Sequence, residues 1–188
     1  MRYVIEHLEP KLYPWCMLEY TQISKLVGKK NALFTNLKAD KNCKKLLPLG
    51  AVSALPVKQL QLKNAVVLDP DAKKMLSASD CKQFEYCILG GILGDYPMQK
   101  RTKKELTKKL PYPTRNLGKA QFSTDTAVLV ATLIAKGIRL DQIPYQDTIE
   151  LPMGKYLSLQ LPFRYVMNAK GKPILPKGLV ELIKKQKF

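Results

Sequence analysis

The chain has 188 residues, of which 32 are Lys or Arg and 15 are Asp or Glu, for a formal charge of +17 with 46% hydrophobic residues. That length suits one domain able to build a core without staples, and the ordinary apolar fraction excludes wholesale disorder. The charge points to anionic surroundings and says nothing about fold.

Other classes fall away on residue usage. No apolar run approaches the ~18–20 residues that span a bilayer. The first residues carry Glu6 and Glu9 where a signal peptide would have its apolar stretch, so a cytoplasmic chain with no membrane contact is expected. Cys16, Cys43, Cys81 and Cys87 form no CxxC pair, and His7 is the single histidine. A metal site is therefore not expected, and the thiols read as reduced and packed.

In chain order, Arg2 to His7 reads as a strand. A helix follows from about Trp15 to Val27, with prolines before it and Lys25 and Gly28 closing it. Asn31 to Asn36 holds a short apolar run, and residues 38 to 64 are lysine-rich with no assignable element. Ala65 to Leu68 is a buried-type strand stopped by Asp69-Pro70. Ser77 to Lys82 begins a short helix, and Glu85 to Leu89 is a second strand running into a glycine-rich segment. Lys100 to Lys109 predicts a strongly basic helix. Ser123 to Thr126 is a helix start with hydroxyl caps, and Ala127 to Ala135 is apolar on nearly every side. Leu161 to Val166, a Gly/Pro turn and a helix from Gly178 to Lys187 complete the chain. This alternation predicts an α/β fold, a mainly parallel sheet flanked by helices, in one domain over residues 1–188.

The segment Gly90-Gly91-Ile92-Leu93-Gly94-Asp95 follows a buried strand, where glycines admit a ligand close to the backbone. Its spacing is GGxxG, and no GK[ST] follows, so neither a dinucleotide fingerprint nor a P-loop is supported. Leu68-Asp69-Pro70 and Leu117-Gly118 with Phe122 to Thr126 have the same build. All three lie at strand or helix ends, where ligands gather in open α/β sheets. On pattern alone, each also reads as an ordinary turn or cap.

The run Ile88 to Pro97 resembles the glycine-rich loop of one branch of the SPOUT methyltransferases. That branch includes the fungal enzyme that methylates an arginine of a small-subunit ribosomal protein. Tyr3 to Glu9, Leu18-Glu19-Tyr20, Leu68-Asp69-Pro70, Arg101-Thr102-Lys103 and Thr124 to Ala127 match as well. So do Pro162 to Val166 and Gly171 to Pro176, all in the same order along the chain.

The resemblance implies a parallel sheet whose C-terminal part is threaded as a deep trefoil knot, a rare exception to unknotted connectivity. It implies S-adenosylmethionine bound by three loops. These comprise Leu68, Asp69 and Pro70; then Leu89, Gly90, Gly91, Ile92, Leu93, Gly94 and Asp95; then Leu117, Gly118, Phe122, Ser123, Thr124, Asp125, Thr126 and Ala127. Leu68, Leu89, Ile92 and Leu93 would sandwich the adenine, and Asp95 or Asp69 would take a ribose hydroxyl or the methionyl ammonium.

The implied reaction is methyl transfer to a guanidinium nitrogen, which needs an orienting carboxylate clamp because arginine stays protonated. Glu19 and Glu6 are the expected pair, with His7 as proton acceptor. Glu9, Lys100, Arg101, Lys103, Lys104 and Arg164 are expected on the substrate side. The expected partner is a ribosomal protein or the ribosome, with ribosomal RNA met by the basic face; oligomeric state stays open. The segment 38–64 is shorter and richer in lysine than the fungal pattern, and the charge is higher. Two alternatives therefore stand: an RNA methyltransferase of the same fold, and a non-catalytic basic ribosome-binding module.

Overall fold

A computed structural model describes residues 1–37, 43–153 and 158–185. Six parallel strands form one sheet: β1 (Arg2–His7), β2 (Ala32–Thr35), β3 (Ala51–Val52), β4 (Ala65–Leu68), β5 (Tyr86–Gly91) and β6 (Thr114–Arg115), in the order β3-β2-β1-β5-β4-β6. β1, at the centre, aligns Val4 with Leu33 on one side and with Ile88 on the other. Strands in this position must be apolar on both faces, and β4 is buried at all four residues.

Successive strand residues face opposite ways, so each face collects its own core. Tyr3 and Ile5 pack with Cys16, Tyr20 and Ile23 of α1 (Pro14–Val27) and with Val128, Ala131 and Ile134 of α5 (Thr124–Ala135). α4 (Ala78–Gln83), capped by Ser77 and Asp80 in a reciprocal box, completes that layer. Val4, Val67 and Ile88 point the other way. They meet Val57 of α3 (Val57–Leu60) and Leu106. α1 starts with a proline in its first turn, and Gly28, at φ 79°, returns its N–H to Ser24 O at 2.9 Å. Cys16, Cys81 and Cys87 are buried reduced thiols. Burial pushes Cys16 up to about 12, which keeps it from reacting.

Beyond the parallel sheet, β7 (Tyr145–Pro152) and β8 (Ser158–Val166) form an antiparallel hairpin that the sequence reading had only half seen, as Leu161 to Val166. α6 (Leu179–Lys185) packs Leu179 and Ile183 against Tyr165 of β8 and Trp15 and Leu18 of α1. The predicted end of that helix at Lys187 lies outside the described residues. In the stretch left unassigned by sequence, α2 (Cys43–Leu46), β3 and α3 are each four residues or fewer, too short to show a period; residues 38–42 lie outside the described residues.

One expected element is corrected. Residues 100–109 do not form a regular helix but a widened π-type turn at Thr102–Leu106 and a 3₁₀ turn at Thr107–Lys109. Six cations in ten residues repel on a regular helix surface. Only Leu106 is buried in the two turns, and Arg101 is drawn aside by Glu105, Nε to Oε1 at 2.8 Å.

Because every strand of the sheet runs the same way, the loops after β1, β4, β5 and β6 emerge along one edge. The chain leaves β1 toward β2 but leaves β5 toward β6, beyond β4. That reversal opens a crevice at the carboxyl ends of the central strands, the place where such sheets hold ligands. Among the described residues, no helix is long and apolar enough to cross a membrane.

Candidate active site

A cleft opens at this edge. Its walls are Leu68, Asp69, Pro70 and Asp71 after β4, and Leu89, Gly90, Ile92, Gly94 and Asp95 at and beyond the end of β5. Leu117 and Gly118 follow β6, and Phe122, Thr124 and Ala127 line it from the start of α5. Local chemistry shapes each wall. Asp69 Oδ1 accepts the Asp71 N–H at 2.8 Å, turning the chain hard after β4. Gly118 takes φ 91°, a conformation side chains resist. A methyl group on Gly94 would overlap the Gln121 amide and the Phe163 ring, so the glycine loop can lie against β8 only because Gly94 is bare.

Five of the expected cofactor residues stand outside this lining. Gly91 supports the cleft from beneath, where a methyl group would overlap the Tyr20 hydroxyl. Leu93 packs against the α1–α5 side of the core. Ser123 Oγ lies 2.8 Å from both Asp125 Oδ1 and Thr126 Oγ1, so these three organise the start of α5 among themselves. Asp71, Met98, Gln99, Thr102, Ala120 and Gln121, outside the expected set, also line the cleft. Gln121 arrives there because its carbonyl accepts the Arg164 N–H of β8 at 2.8 Å, a tertiary tie with no local signal.

Of the residues expected on the substrate side, Glu9 and Arg101 engage each other, while Lys100, Lys103 and Arg164 are held by other carboxylates. Glu9 Oε1 accepts the Leu93 N–H at 2.9 Å and the Arg101 guanidinium, also at 2.9 Å. Arg101 thereby pins the glycine loop to the end of β1. Lys100 and Lys103 sit at the mouth and share Asp71, at 3.7 and 3.5 Å, while Lys104 is exposed outside the lining. Arg164 forks onto Asp147 at 2.6 and 2.7 Å with its guanidinium over the Tyr145 ring. It borders a separate groove with Met75 and Ile138 rather than the cleft.

The carboxylates also divide differently from the expectation. Glu6 does not pair with Glu19. It lies on the Val4 face, where Oε2 accepts the Val57 N–H at 2.9 Å and a bond from the Thr35 hydroxyl. The physical reason is strand alternation: Glu6 and His7 are neighbours and must point apart. His7 shares the α1 side, its Nδ1 2.8 Å from the Tyr20 hydroxyl, and Tyr20 stacks on Phe34.

Glu19 faces Asp125 instead. It is 4% exposed and accepts bonds from Trp15 Nε1, at 3.0 Å, and from both the hydroxyl and the backbone of Thr124. Burial first, and the neighbouring Asp125 second, hold its carboxyl well above the usual range. Burial also raises Asp125 to about 6, against bonds from Ser123 and from the backbone that favour its charge. Tyr165 is 1% exposed beside this pair, and its hydroxyl has no hydrogen-bond partner among the described residues. Thr124 both lines the cleft and bonds Glu19, so the acidic pair stands directly behind the cleft wall. Two carboxyls with raised affinity for protons, walled in by aromatic side chains, form a site able to take a cation and then a proton. Among the described residues, no group of three His, Cys, Asp or Glu could hold a metal ion.

Residues 2–187 match the family model of the SFM1-like protein arginine N-methyltransferases. The chain belongs to that family. It is 38% identical over 205 residues to protein arginine N-methyltransferase SFM1 of Saccharomyces cerevisiae, covering 98% of this chain and 95% of that protein. The yeast SFM1 structure complexed with SAM superposes with a TM-score of 0.88 at 35% identity, covering 98% of this chain and 90% of that one. The complex with SAH gives the same TM-score at 34% identity, covering 97% and 94%. Trm10 of Thermococcus kodakaraensis, at 20% identity and a TM-score of 0.59 over 76% of this chain and 96% of that one, shares the fold. The parallel SPOUT-type sheet is thus common to the SFM1-like family and this chain.

Proposed function

We propose that this protein is an S-adenosylmethionine-dependent methyltransferase that modifies an arginine of a small-subunit ribosomal protein in the cytoplasm. The observation that carries the proposal is the buried Glu19–Asp125 pair behind the wall of a cleft whose SFM1-like relatives were solved with SAM and SAH. The trefoil knot and the single-domain organisation belong to the same reading.

The lining fits the cofactor. Leu68, Leu89, Ile92 and Phe122 offer apolar surfaces to a flat purine, and Gly90 and Gly118 leave the backbone accessible. Asp69 and Asp95 supply carboxylates for hydroxyl or ammonium groups. When bound, S-adenosylmethionine supplies a methyl group on a positively charged sulfur, open to attack by a nitrogen.

The chain's own residues prepare that nitrogen. A guanidinium entering beside Glu19 and Asp125 brings the positive charge that lets both carboxyls ionise, and they accept paired N–H···O bonds from it. The pair fixes the plane of the group, and the Tyr165 hydroxyl is placed to accept a third N–H. As the nitrogen forms its bond to carbon, its proton passes to Glu19, whose raised affinity suits it to hold that proton before releasing it to water. Positioning of this kind supplies several kcal/mol of a bimolecular barrier, on the order of 7–11 at its best. Glu6 ties β1 to β2 and α3, and His7 holds Tyr20 beneath Gly91; both support the site from outside it.

The test uses labelled S-adenosylmethionine, whole ribosomes and the purified protein. Label that survives ribonuclease and is recovered as methylarginine after acid hydrolysis supports the proposal. Label confined to RNA would replace it with an RNA methyltransferase. Absence of cofactor binding by calorimetry would leave only a binding module.

A further inference from the structure

The +17 charge is not spread evenly over the molecule. The two faces of the sheet are covered by elements of different charge. α1, α4 and α5, on the Tyr3–Ile5 side, bring Glu19, Asp80 and Asp125 against two cations, Lys25 and Lys82. The Val4–Ile88 side is covered by residues 57–63 and 100–112. These two segments carry seven lysines and Arg101 against one acid, Glu105, which is held by Arg101 at 2.8 Å. Lys58, Lys63, Lys104, Lys108 and Lys109 are exposed, and none has a carboxylate in ion-pair range among the described residues. Lys100 and Lys103 share the one carboxylate of Asp71. The segments are neighbours: Val57 and Leu106 share one core, and Lys109 is close enough to Glu6, which bonds the Val57 N–H, to favour its charged form.

The apolar residues of these segments narrow the partner. Val57 and Leu106 are buried, and Leu62, Leu110 and Tyr112 pack inward against them. Packed against one another, these residues are not free to enter a bilayer or to stack on unpaired bases. Lysines are compact point charges without the fork that reads a single carboxylate or phosphate, so they suit evenly spaced phosphates. We infer that this face is a docking surface for the phosphate backbone of double-helical RNA. The choice of RNA as the source rests on the proposed ribosomal substrate. Lys100 and Lys103 carry the surface to the mouth of the cleft, so a helix lying on it leaves the acceptor site open beside it.

The experiment is a titration of the full chain with an RNA duplex of ~16 base pairs, the span of two successive minor grooves, over a series of salt concentrations. A Lys58→Gln/Lys63→Gln/Lys108→Gln variant is compared with a Lys25→Gln/Lys29→Gln/Lys136→Gln control. The expected result is binding whose salt slope falls by roughly 0.9 for each contacting lysine removed, in the first variant only. Affinity at fixed salt should drop at least about tenfold there. S-adenosylmethionine affinity should stay unchanged in both variants, since none of these lysines lines the cleft. Equal weakening in the two variants, no binding at low salt, or tighter binding of a DNA duplex of the same length would overturn the inference. Binding is read without methyl transfer. A protein that binds the duplex but transfers no methyl group would therefore keep this surface and lose the proposed function.

Discussion

At the scale of single residues, the decisive fact is that Glu19 and Asp125 are buried together while Glu6 is buried alone. Glu6 is committed to the Val57 N–H and the Thr35 hydroxyl, and its carboxyl is raised chiefly by burial. Glu19 keeps company with a second acid and with the Tyr165 hydroxyl, which has no hydrogen-bond partner among the described residues, and the proposed function rests on that arrangement. Glu19→Gln should therefore lower kcat by about 10²–10⁴, the range for a positioned acid or base. Cofactor Kd should move no more than a few-fold, because Glu19 is not in the cleft lining; full activity in a single-turnover assay would remove it from the mechanism.

The same pair makes a stability prediction. Asp125 rises from its ordinary 3.8 to about 6 on folding, so the folded chain binds its proton more tightly than the unfolded one. Such a group is neutral in effect below about pH 4, and it destabilises progressively as pH rises through 6, with the full penalty above that. Asp125→Asn should then raise the Tm at pH 8, by a free energy on the order of 1–3 kcal/mol at most. The gain should shrink toward zero near pH 4, while methyl transfer is lost. Thermal melts across that pH range check it, and a variant less stable at pH 8 than the parent would show that the Ser123 and backbone bonds to Asp125 outweigh the burial of its charge.

At the scale of elements, the glycine loop is placed by charges far away in sequence. Arg101 reaches Glu9 and Glu105, and Glu9 in turn holds the Leu93 N–H, so the end of β1, the loop after β5 and the basic turns form one unit. Arg101→Gln should loosen that unit. Cofactor Kd is expected to rise about tenfold, from the loss of a charged hydrogen bond worth roughly 1.5–3 kcal/mol. The global Tm should fall little, because Val4, Val67 and Ile88 remain packed beneath; amide exchange at residues 92–95 should quicken first. An unchanged Kd with unchanged exchange would deny the pinning role.

At the scale of the whole molecule, the cleft is made of loops from β4, β5 and β6 and the start of α5, so filling it ties distant parts of the chain together. S-adenosylmethionine at 100 times its Kd should raise unfolding free energy by about 2.7 kcal/mol. The Glu19→Gln protein should show nearly the same rise, and the Arg101→Gln protein a smaller one at equal cofactor concentration. Melting scans with and without cofactor read this directly; no shift in the parent protein would exclude binding at the cleft.

Legibility followed the range of the interactions. β4, β5 and α5 were readable because burial on two faces leaves apolar runs, and caps mark ends locally; β1 reads as a strand of mixed polarity, its acid and histidine buried by what folds against them. The three loops were readable as candidates, because glycines and a helix start announce themselves within a few residues, and the ordered motifs carried the family. The Lys100 to Lys109 helix was misread because a basic run looks helical until the pull of Glu9 and Glu105 on Arg101 is known.

The sequence by itself determined the mainly parallel α/β class, the family resemblance and the three loops that supply most, though not all, of the cleft's walls. All of these rest on contacts or spacings within a few positions of one another. Only the tertiary structure decided that Glu19 answers Asp125 rather than Glu6, and that Arg164 belongs to Asp147. The tertiary structure also brought the lysines of residues 57–63 and 100–112 onto one face. Those facts depend on which side of a strand or helix a residue points and on what is folded against it. The physical reason is that a carboxylate's partner is chosen by distance in space, falling off within a few ångströms, and not by distance along the chain.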